Sequence, residues 1–364
     1  MSSHIIAARR TAVAPRGGAF AALQPHELTA PVIKALLADA GLPADQVDEI
    51  IAANAMGPGG NVARVAALAA GLPERVAGLT IDRQCVGGLD ALILADAMIR
   101  ARQAEVVIAG GVESYSRRPH RLHTHADGRA PTPYDQAPFT PWPDRDPAMA
   151  DAAQALADRL GIDRAAQDDW AVESHRKARS AQPMREIVPL AGLSHDAFTR
   201  SLSPALCARA TVVSGTITSA NSAVAADAAA FCLVVSDRVA ARLGKPGLRI
   251  GAGRSIGGDP TLPGLAPVAV IQSVLEHEGL APTDLARAEI MEAYAVQAIA
   301  CVQGANLPAA IVNPGGGALA RGHPIGASGA VLAVRLFHDL RPGEAGLAAI
   351  AAAGGLGTAL VLRA

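Results

Sequence analysis

Residues 78–89 read GLTIDRQCVGGL, and this stretch decides the fold. An apolar run over Gly78–Asp82 predicts a strand, and Cys85 comes after it and before Val86-Gly87-Gly88. The residues from Gly88 to Arg100 then predict a helix that is apolar on almost every side, which is typical of a buried helix. A strand, a tight glycine turn and a buried helix are parts of an α/β fold, so we expect strands and helices to alternate on either side of this stretch.

The alternation continues in both directions along the chain. On the N-terminal side, the pattern predicts helices over Pro31–Ala40 and Arg64–Gly71, a strand over Asp48–Ala53, and an edge strand that begins at Ile5–Ile6. On the C-terminal side, Glu105–Gly110 predicts an aliphatic strand. Such βαβα order indicates a parallel or mixed sheet with helices on both faces.

Residues 116–209 differ in composition from the rest of the chain. They are rich in Pro, His, Arg and Asp, with six prolines between positions 131 and 147 and a predicted helical part over Ala150–Ala178. We interpret this stretch as a loop domain inserted into the first half of the molecule, which resumes afterwards and closes with a strand over Phe231–Ser236. The predicted units are therefore residues 1–115 plus 210–245, the insertion 116–209, and a C-terminal half over 246–364.

The C-terminal half repeats the pattern around Cys85. A glycine-rich turn leads to a buried-looking helix over Ala330–Phe337, then to an aliphatic strand over Gly346–Ala351 and the pair Gly354–Gly355. This order predicts two similar halves with equivalent buried helices at the centre. A chance likeness between α/β units is the alternative.

Composition narrows the classes of function. The chain has 364 residues, a net charge of −1 and 50% hydrophobic residues, so neither nucleic acid nor a membrane surface is expected as a partner. Its four cysteines fit neither a disulfide framework nor a metal site, which indicates reduced thiols and no bound metal. We see no signal peptide and no membrane-spanning segment, so we expect a cytoplasmic protein.

Two residues in these patterns are chemically suited to react together. Cys85 stands where a helix begins, and the N–H groups and dipole of a helix N-terminus stabilise a thiolate. His323 lies in the sequence GHPIG, a tight loop that suits contact with a thiol better than packing in a core. The alternatives are a buried structural cysteine and a histidine bonded to the backbone of its turn.

Longer motifs around these two residues resemble those of the thiolases. RQCVGGL at 83–89 with IAGGVES at 108–114 resembles their nucleophile region, and NPGGGA at 313–318 with GHPIGASG at 322–329 resembles their C-terminal histidine signature. AARRT at 7–11 and GTIT at 215–218 are similar to further family segments. Because the motifs occur in the family's order along nearly the whole chain, it is identified as a member of the thiolase superfamily.

The resemblance implies a five-layered αβαβα fold made of two duplicated halves, with the inserted loop domain binding coenzyme A. It implies that Cys85 is acylated by acyl-CoA and that His323 activates it. The Cys85 N–H and a second N–H, from Gly355 or from Ala353, would stabilise the oxyanion. It also implies a homodimer or homotetramer, and a CoA thioester as substrate with no covalently bound cofactor.

The chain departs from the family pattern at two positions. Ala351 stands where thiolases carry a second cysteine that transfers protons. Met291 replaces the asparagine of the Asn-Glu-Ala-Phe motif, although Glu292 and Tyr294 keep its glutamate and its aromatic ring. Other substrate-binding positions implied by the resemblance are two that line the coenzyme A channel, Met149 and Ser222.

These departures spare the acylation of Cys85 and remove the base for a carbon acid, which is worth about 10²- to 10⁴-fold in rate. We therefore predict a thiolase-like acyltransferase with weak or absent ordinary ketothiolase activity. Two alternatives stay open: a CoA-ester-binding subunit that needs a partner such as a small OB-fold protein, and an acyl-CoA thioesterase. Replacement bases could come from Glu292, Tyr294 or three loop histidines, His120, His123 and His125. The loop arginines Arg117, Arg118 and Arg121 could meet CoA phosphates or simply face solvent.

Overall fold

A long mixed sheet forms the frame of the molecule. The structure, a computed structural model, describes residues 2–181 and 183–364. Its long strands are β1 (Ser3–Thr11), β2 (Glu49–Ala53), β3 (Ala77–Ile81), β4 (Val106–Ser114), β5 (Ala226–Ser236), β6 (Leu248–Gly257), β7 (Arg287–Ile290), β8 (Ala345–Ala352) and β9 (Leu356–Arg363). Their order across the sheet is β3-β2-β4-β5-β1-β6-β9-β8-β7.

The order of strands shows that the two halves are duplicated. In the first half β2 and β4 are parallel, while β5 is antiparallel to both β4 and β1. In the second half β7 and β8 are parallel, while β9 is antiparallel to both β8 and β6. The halves join where β1 meets β6, at the pairs His4–Arg249 and Ile5–Leu248. The expectation that the first strand lies at an edge is therefore wrong, because β1 pairs on both sides.

Helices cover and separate the two half-sheets. They are α1 (Pro25–Ala40), α2 (Val62–Ala69), α3 (Gly87–Arg100), α4 (Met149–Leu160), α5 (Arg164–Ser180), α6 (Pro204–Ala208), α7 (Asp237–Leu243), α8 (Ala266–Glu278), α9 (Ala295–Gly304), α10 (Ala318–Arg321) and α11 (Ile325–Asp339). Over the described ranges, no helix combines the length and the apolar character needed to cross a membrane.

Alternate residues of each strand pack into different layers. Ile50 of β2 packs with α1 and α2, whereas Ile51 packs with α3 in the centre. In the same way, Ile350 of β8 faces the central layer, and Ala349 faces the outer layer with α8. The layers therefore follow the order α1 and α2, first half-sheet, α3 and α11, second half-sheet, α8 and α9. This is the expected five-layered αβαβα arrangement.

Glycines let the two central helices touch. A Cβ on Gly88 of α3 would lie 2.5 Å from the backbone nitrogen of Ala330, and one on Gly329 of α11 would lie 2.6 Å from that of Leu89. Larger side chains cannot fit there, so the helix backbones are in direct contact. This contact brings the start of α3 beside the start of α11.

The insertion folds over one side of this frame. The helical stretch predicted over Ala150–Ala178 is two helices, because Gly161 ends α4 in the left-handed conformation at φ 64°. A buried ion cluster fixes the later part of the insertion, since Arg10 of β1 lies 2.7 Å from Asp196 and Glu186 lies 2.7 Å from Arg335 of α11. The insertion is thus tied to both halves; the limits of the three units stay predictions.

Candidate active site

Cys85 stands in a sharp turn between β3 and α3. The strand ends at Ile81, and Gln84 then adopts a positive φ of 51° in the turn of 3₁₀ helix that leads into α3. The Gln84 N–H donates to the Asp82 carboxylate at 2.9 Å, which holds the turn. Few non-glycine residues have a positive φ, so the surrounding contacts must fix the position of the sulfur.

His323 lies on the loop that precedes α11. Its backbone N–H donates to the Val224 carbonyl at 2.7 Å, which anchors the loop to the segment before β5. Its Nε2 atom lies 3.2 Å from Cys85 Sγ, and its Nδ1 atom lies 2.6 Å from the Ser328 hydroxyl oxygen. The structure therefore brings together the two residues that the sequence singled out, and Ser328 adds a third group that the motif did not reveal as a partner.

Burial decides the resting charge of the pair. It raises the pKa of the Cys85 thiol to about 12, an effect that the nearby charges of Glu113 and Asp82 reinforce and the Cys85 backbone N–H opposes. Burial also lowers the pKa of His323 to about 4. The sequence predicts that the start of α3 lowers the thiol pKa, but the pKa is raised, because desolvation of the thiolate outweighs that effect. The resting pair is a neutral thiol and a neutral imidazole, so Nε2 accepts from the thiol while Nδ1–H donates to Ser328.

The pair opens onto a cavity of about 810 Å³. The cavity lies between the insertion and the two halves, and its volume is in the range of pockets that enclose small molecules. Of the catalytic, oxyanion and substrate-binding positions singled out from the sequence, those on its wall are Cys85, His323, Met149, Tyr294, Ala351 and Ala353. The alanine at the position of the missing cysteine therefore faces the same space as the Cys85 sulfur.

Two of the predicted substrate-binding residues lie outside the wall. Met291 is buried in the central core, where its side chain packs away from the cavity wall. The Ser222 hydroxyl is buried and has no hydrogen-bond partner within the described ranges, while the Ser222 backbone forms a β-bridge with Tyr294. Its neighbour Ala223 lines the cavity instead. A one-residue difference is enough, because successive residues of an extended segment point to opposite sides.

Two predicted oxyanion or support residues also lie away from the wall. The Glu292 carboxylate accepts hydrogen bonds from Trp170 Nε1 at 3.0 Å, Ser174 Oγ at 2.7 Å and Asn313 Nδ2 at 2.8 Å. It therefore anchors α5 to the second half and is no replacement base. The Gly355 carbonyl accepts from Gly258 N–H at 2.7 Å in a turn outside the cavity, which leaves Ala353 as the better placed of the two predicted donors.

The three loop histidines also lie away from the cavity wall. The His123 ring stacks on Tyr134 with 3.9 Å between centroids, and His125 Nε2 lies 3.1 Å from Thr132 Oγ1. His120 is exposed, and none of the three is on the cavity wall. In residues 2–181 and 183–364, no group of three or more His, Cys, Asp or Glu side chains is placed to hold a metal ion.

Several polar residues on the wall were missed or left open by the sequence. Gln84 and Arg16 line the cavity, as do Arg118 and Arg121, whereas Arg117 does not. Because Gln84 is next to Cys85 in the sequence, its place on the cavity wall could have been predicted. Nothing in the sequence around Arg16 does so, because only the packing of β5 against the start of the chain brings it to the cavity.

The five-layered fold, with a cysteine and a histidine paired between its two central helices, defines a thiolase. Family comparison agrees: "Thiolase, N-terminal domain" matches residues 3–238 and "Thiolase, C-terminal domain" matches residues 245–364, so the chain belongs to the thiolase family.

Relatives match over almost the full length of the chain. YhfS of Bacillus subtilis (strain 168), provisionally described as an acetyl-CoA C-acetyltransferase, is 40% identical and the match covers 99% of each chain. VraB of Staphylococcus aureus (strain MRSA252), described in the same way, is 35% identical over 98% of this chain and 97% of its own.

Solved structures match as well. The acetyl-CoA acetyltransferase of Bacillus anthracis superposes with a TM-score of 0.93 at 32% identity, over 99% of this chain and 98% of that one. Acat5 thiolase from Ascaris suum, solved in complex with coenzyme A, gives a TM-score of 0.93 at 29% identity over the whole of both chains.

Proposed function

We propose that this thiolase is an acyltransferase that takes an acyl group from an acyl-CoA thioester onto Cys85 and passes it to an acceptor, with weak or absent ordinary ketothiolase activity. The names of its relatives and the coenzyme A bound in the Ascaris suum structure support the substrate class. The observation that carries the proposal is the 3.2 Å contact between Cys85 Sγ and His323 Nε2 on a cavity wall that also carries Ala351.

The first half-reaction follows from the resting state of the pair. Neutral His323 Nε2 takes the thiol proton as Cys85 Sγ attacks the thioester carbon. A new carbon–sulfur bond forms, the bond to the coenzyme A sulfur breaks, and the departing sulfur takes the proton back from His323. Backbone N–H groups of Cys85 and Ala353 are the proposed donors to the oxyanion.

The second half-reaction lacks its usual base. The Ala351 methyl group cannot transfer a proton, and Met291 is buried away from the cavity. Tyr294 is on the wall, but burial raises the pKa of its hydroxyl to about 12, so near neutral pH it can donate a hydrogen bond and cannot act as a base. The acceptor is therefore one that needs no strong base, such as an already enolised carbon, a decarboxylating group, or an oxygen, nitrogen or sulfur nucleophile.

We also propose that the protein forms a homo-oligomer. The outermost strand β3 presents Leu79, 43% exposed, at one end of the sheet. A free strand edge with an apolar residue favours association with a second copy, so we propose a homodimer or a tetramer built from it.

Intact-mass spectrometry tests the acyl-enzyme directly. The protein is incubated with acetyl-CoA and with longer acyl-CoA thioesters, and we expect one acyl adduct per chain. The adduct should be absent in Cys85→Ala and present in Cys207→Ala, a buried thiol away from the cavity. In His323→Ala its formation should slow by about 10²- to 10⁴-fold.

Other outcomes separate the alternative functions. No adduct with any acyl-CoA would contradict the proposal and favour a CoA-ester-binding subunit that depends on a partner. Coenzyme A released steadily without a condensed product would indicate a thioesterase. Thiolysis of acetoacetyl-CoA at ordinary thiolase rates would contradict the claim that Ala351 disables the carbon-acid step.

A further inference from the structure

One side of the cavity is strongly basic. It is formed by Arg16, Tyr115, Arg118 and Arg121, which we call the arginine wall. The Arg118 guanidinium lies 4.5 Å from the centre of the Tyr115 ring, and that of Arg16 lies 5.5 Å from it. Stacking on the ring holds both guanidinium groups in place, and their in-plane N–H groups, apart from the Arg118 Nη2–H that donates to Asp135, can bind a planar anion.

The arginine wall is attached to the segment that holds His323. The Arg16 backbone N–H donates to the Ala225 carbonyl at 2.8 Å. The adjacent carbonyl, that of Val224, accepts from the His323 backbone N–H at 2.7 Å. Arg16 and His323 are therefore bound to neighbouring peptide units of one short segment.

A second link connects the wall to the start of α11. Arg121 Nη2 donates to the Ala55 carbonyl at 3.1 Å. The N–H groups of Ala55 and Gly326 both donate to one oxygen of Glu113, at 3.1 and 3.0 Å. Arg121 is thus linked, through Ala55 and Glu113, to the first turn of α11, which follows His323 directly in the chain.

Another part of the cavity wall is apolar. Met149, Ala152, Ala153 and Leu156 lie on one face of α4 at the spacing of a helix, and all four line the cavity. An apolar wall suits the pantetheine arm of a bound thioester. With the thioester carbon at Cys85, the acyl group then extends toward the arginine wall. In this arrangement the coenzyme A phosphates, a full pantetheine arm away from the sulfur, would lie on the far side of the apolar face from these arginines.

The acidic residues on the cavity wall, Asp135 and Asp82, do not prevent the arginines from binding an anion. Asp135 lies 3.0 Å from Arg118, but its side chain is 90% exposed, and such surface pairs are weak. Asp82 accepts from the Gln84 backbone. Arg121 donates to a carbonyl group and Arg16 lies over a ring, so both can still bind a carboxylate.

We propose that the acyl group transferred by this site carries a carboxylate at its far end, as in a dicarboxylic acyl thioester, and that the arginine wall binds that carboxylate. This inference rests on the proposed acylation of Cys85. The reaction is the same exchange: the Cys85 sulfur replaces the coenzyme A sulfur on the thioester carbon, coenzyme A leaves as its thiol, and the distal carboxylate is unchanged. Arginine suits the task because its planar fork binds both carboxylate oxygens.

A matched pair of thioesters tests the proposal. Glutaryl-CoA and pentanoyl-CoA have acyl chains of equal carbon number and differ in the terminal carboxylate. Rates of adduct formation on the full chain are measured by intact mass at equal concentrations. We expect glutaryl-CoA to acylate Cys85 about tenfold faster or more, the effect of one charge-assisted contact. Arg16→Gln and Arg121→Gln should each reduce this preference, and Arg117→Gln, an exposed residue off the cavity wall, should keep it.

The outcomes separate this inference from the proposed function. Adducts that form equally fast from both thioesters overturn the carboxylate proposal and leave the acyl-enzyme intact. Arginine variants that slow both thioesters by the same factor also overturn it, because the arginines would then bind the coenzyme A part. No adduct from either thioester contradicts the proposed function itself.

Discussion

Gly88 of α3 and Gly329 of α11 lie so close that a methyl group on either would collide with the backbone of the other helix. Cys85 stands just before the first of these helices and His323 just before the second. The closeness of the two glycines therefore sets how far the two helix starts, and with them the sulfur and the imidazole, can approach.

Gly88→Ala should weaken both the fold and the reaction. The new Cβ would lie 2.5 Å from the Ala330 nitrogen, so α3 and α11 must move apart, which costs about 1–3 kcal/mol of unfolding free energy. Urea denaturation and the rate of Cys85 acylation are the measurements. Gly257→Ala is the control, since its Cβ would meet nothing within 4 Å. Wild-type acylation in Gly88→Ala would show that the contact does not set the geometry.

Ala351→Cys should restore proton transfer in the second half-reaction. A thiol at this position faces the cavity beside the Cys85–His323 pair, where Ala351 has only a methyl group. We expect thiolysis of acetoacetyl-CoA to rise by about 10²-fold or more, the lower range for a general base. Ala351→Ser, which is nearly the same size and a much poorer base, should stay near the original rate. Equal thiolysis rates in the two variants would show that the loss of a proton-transferring group at position 351 does not limit this reaction.

Glu292→Gln should lower the stability of the fold more than the rate of Cys85 acylation. The buried carboxylate accepts from the side chains of Trp170, Ser174 and Asn313, and an amide would turn its NH₂ group toward one of these donors. A donor left without an acceptor costs about 1–3 kcal/mol. We expect a lower urea midpoint, with Cys85 acylation unchanged in the fraction that stays folded. A large loss of acylation at full stability would instead make Glu292 part of the reaction.

Glu289→Gln should stabilise the protein at alkaline pH. Burial raises the pKa of Glu289 from 4.5 to about 7, although Arg335 and Arg321 oppose the shift, and neither carboxylate oxygen has a hydrogen-bond partner among the residues that the structure describes. Between these pH values the folded state keeps a proton that the unfolded state releases, so the free energy of unfolding falls as pH rises, by an amount on the order of 3 kcal/mol.

The glutamine cannot titrate, so its advantage over glutamate should be larger at pH 8 than at pH 5. Urea denaturation at the two pH values measures it. Glu276→Gln, an exposed carboxylate on α8, should follow the unchanged protein at both. A Glu289→Gln variant that gains nothing between pH 5 and pH 8 would mean that Glu289 is already ionised and paired in the folded protein.

Local patterns were sufficient for most of the secondary structure. The strand predicted over Gly78–Asp82 is found at Ala77–Ile81, and the buried helix predicted over Gly88–Arg100 is found at Gly87–Arg100. Apolar periodicity reports these elements directly, because burial of one face is a property of neighbouring residues. The first strand was misplaced at an edge because its partners, β5 and β6, come from more than 200 residues away.

For the candidate active site too, some features follow from the sequence and others only from the tertiary structure. By itself the sequence determined the fold family, the two candidate reacting residues Cys85 and His323, and the alanine at position 351, where the resemblance implies a proton-transferring cysteine. Tertiary structure alone decided that Ala223 and not Ser222 faces the cavity, that burial keeps the Cys85 thiol protonated, and that Arg16 reaches the cavity wall. The identity of each residue is known from the sequence alone. Its solvation and the direction in which its side chain points depend on segments that are far apart in sequence and meet only when the layers pack.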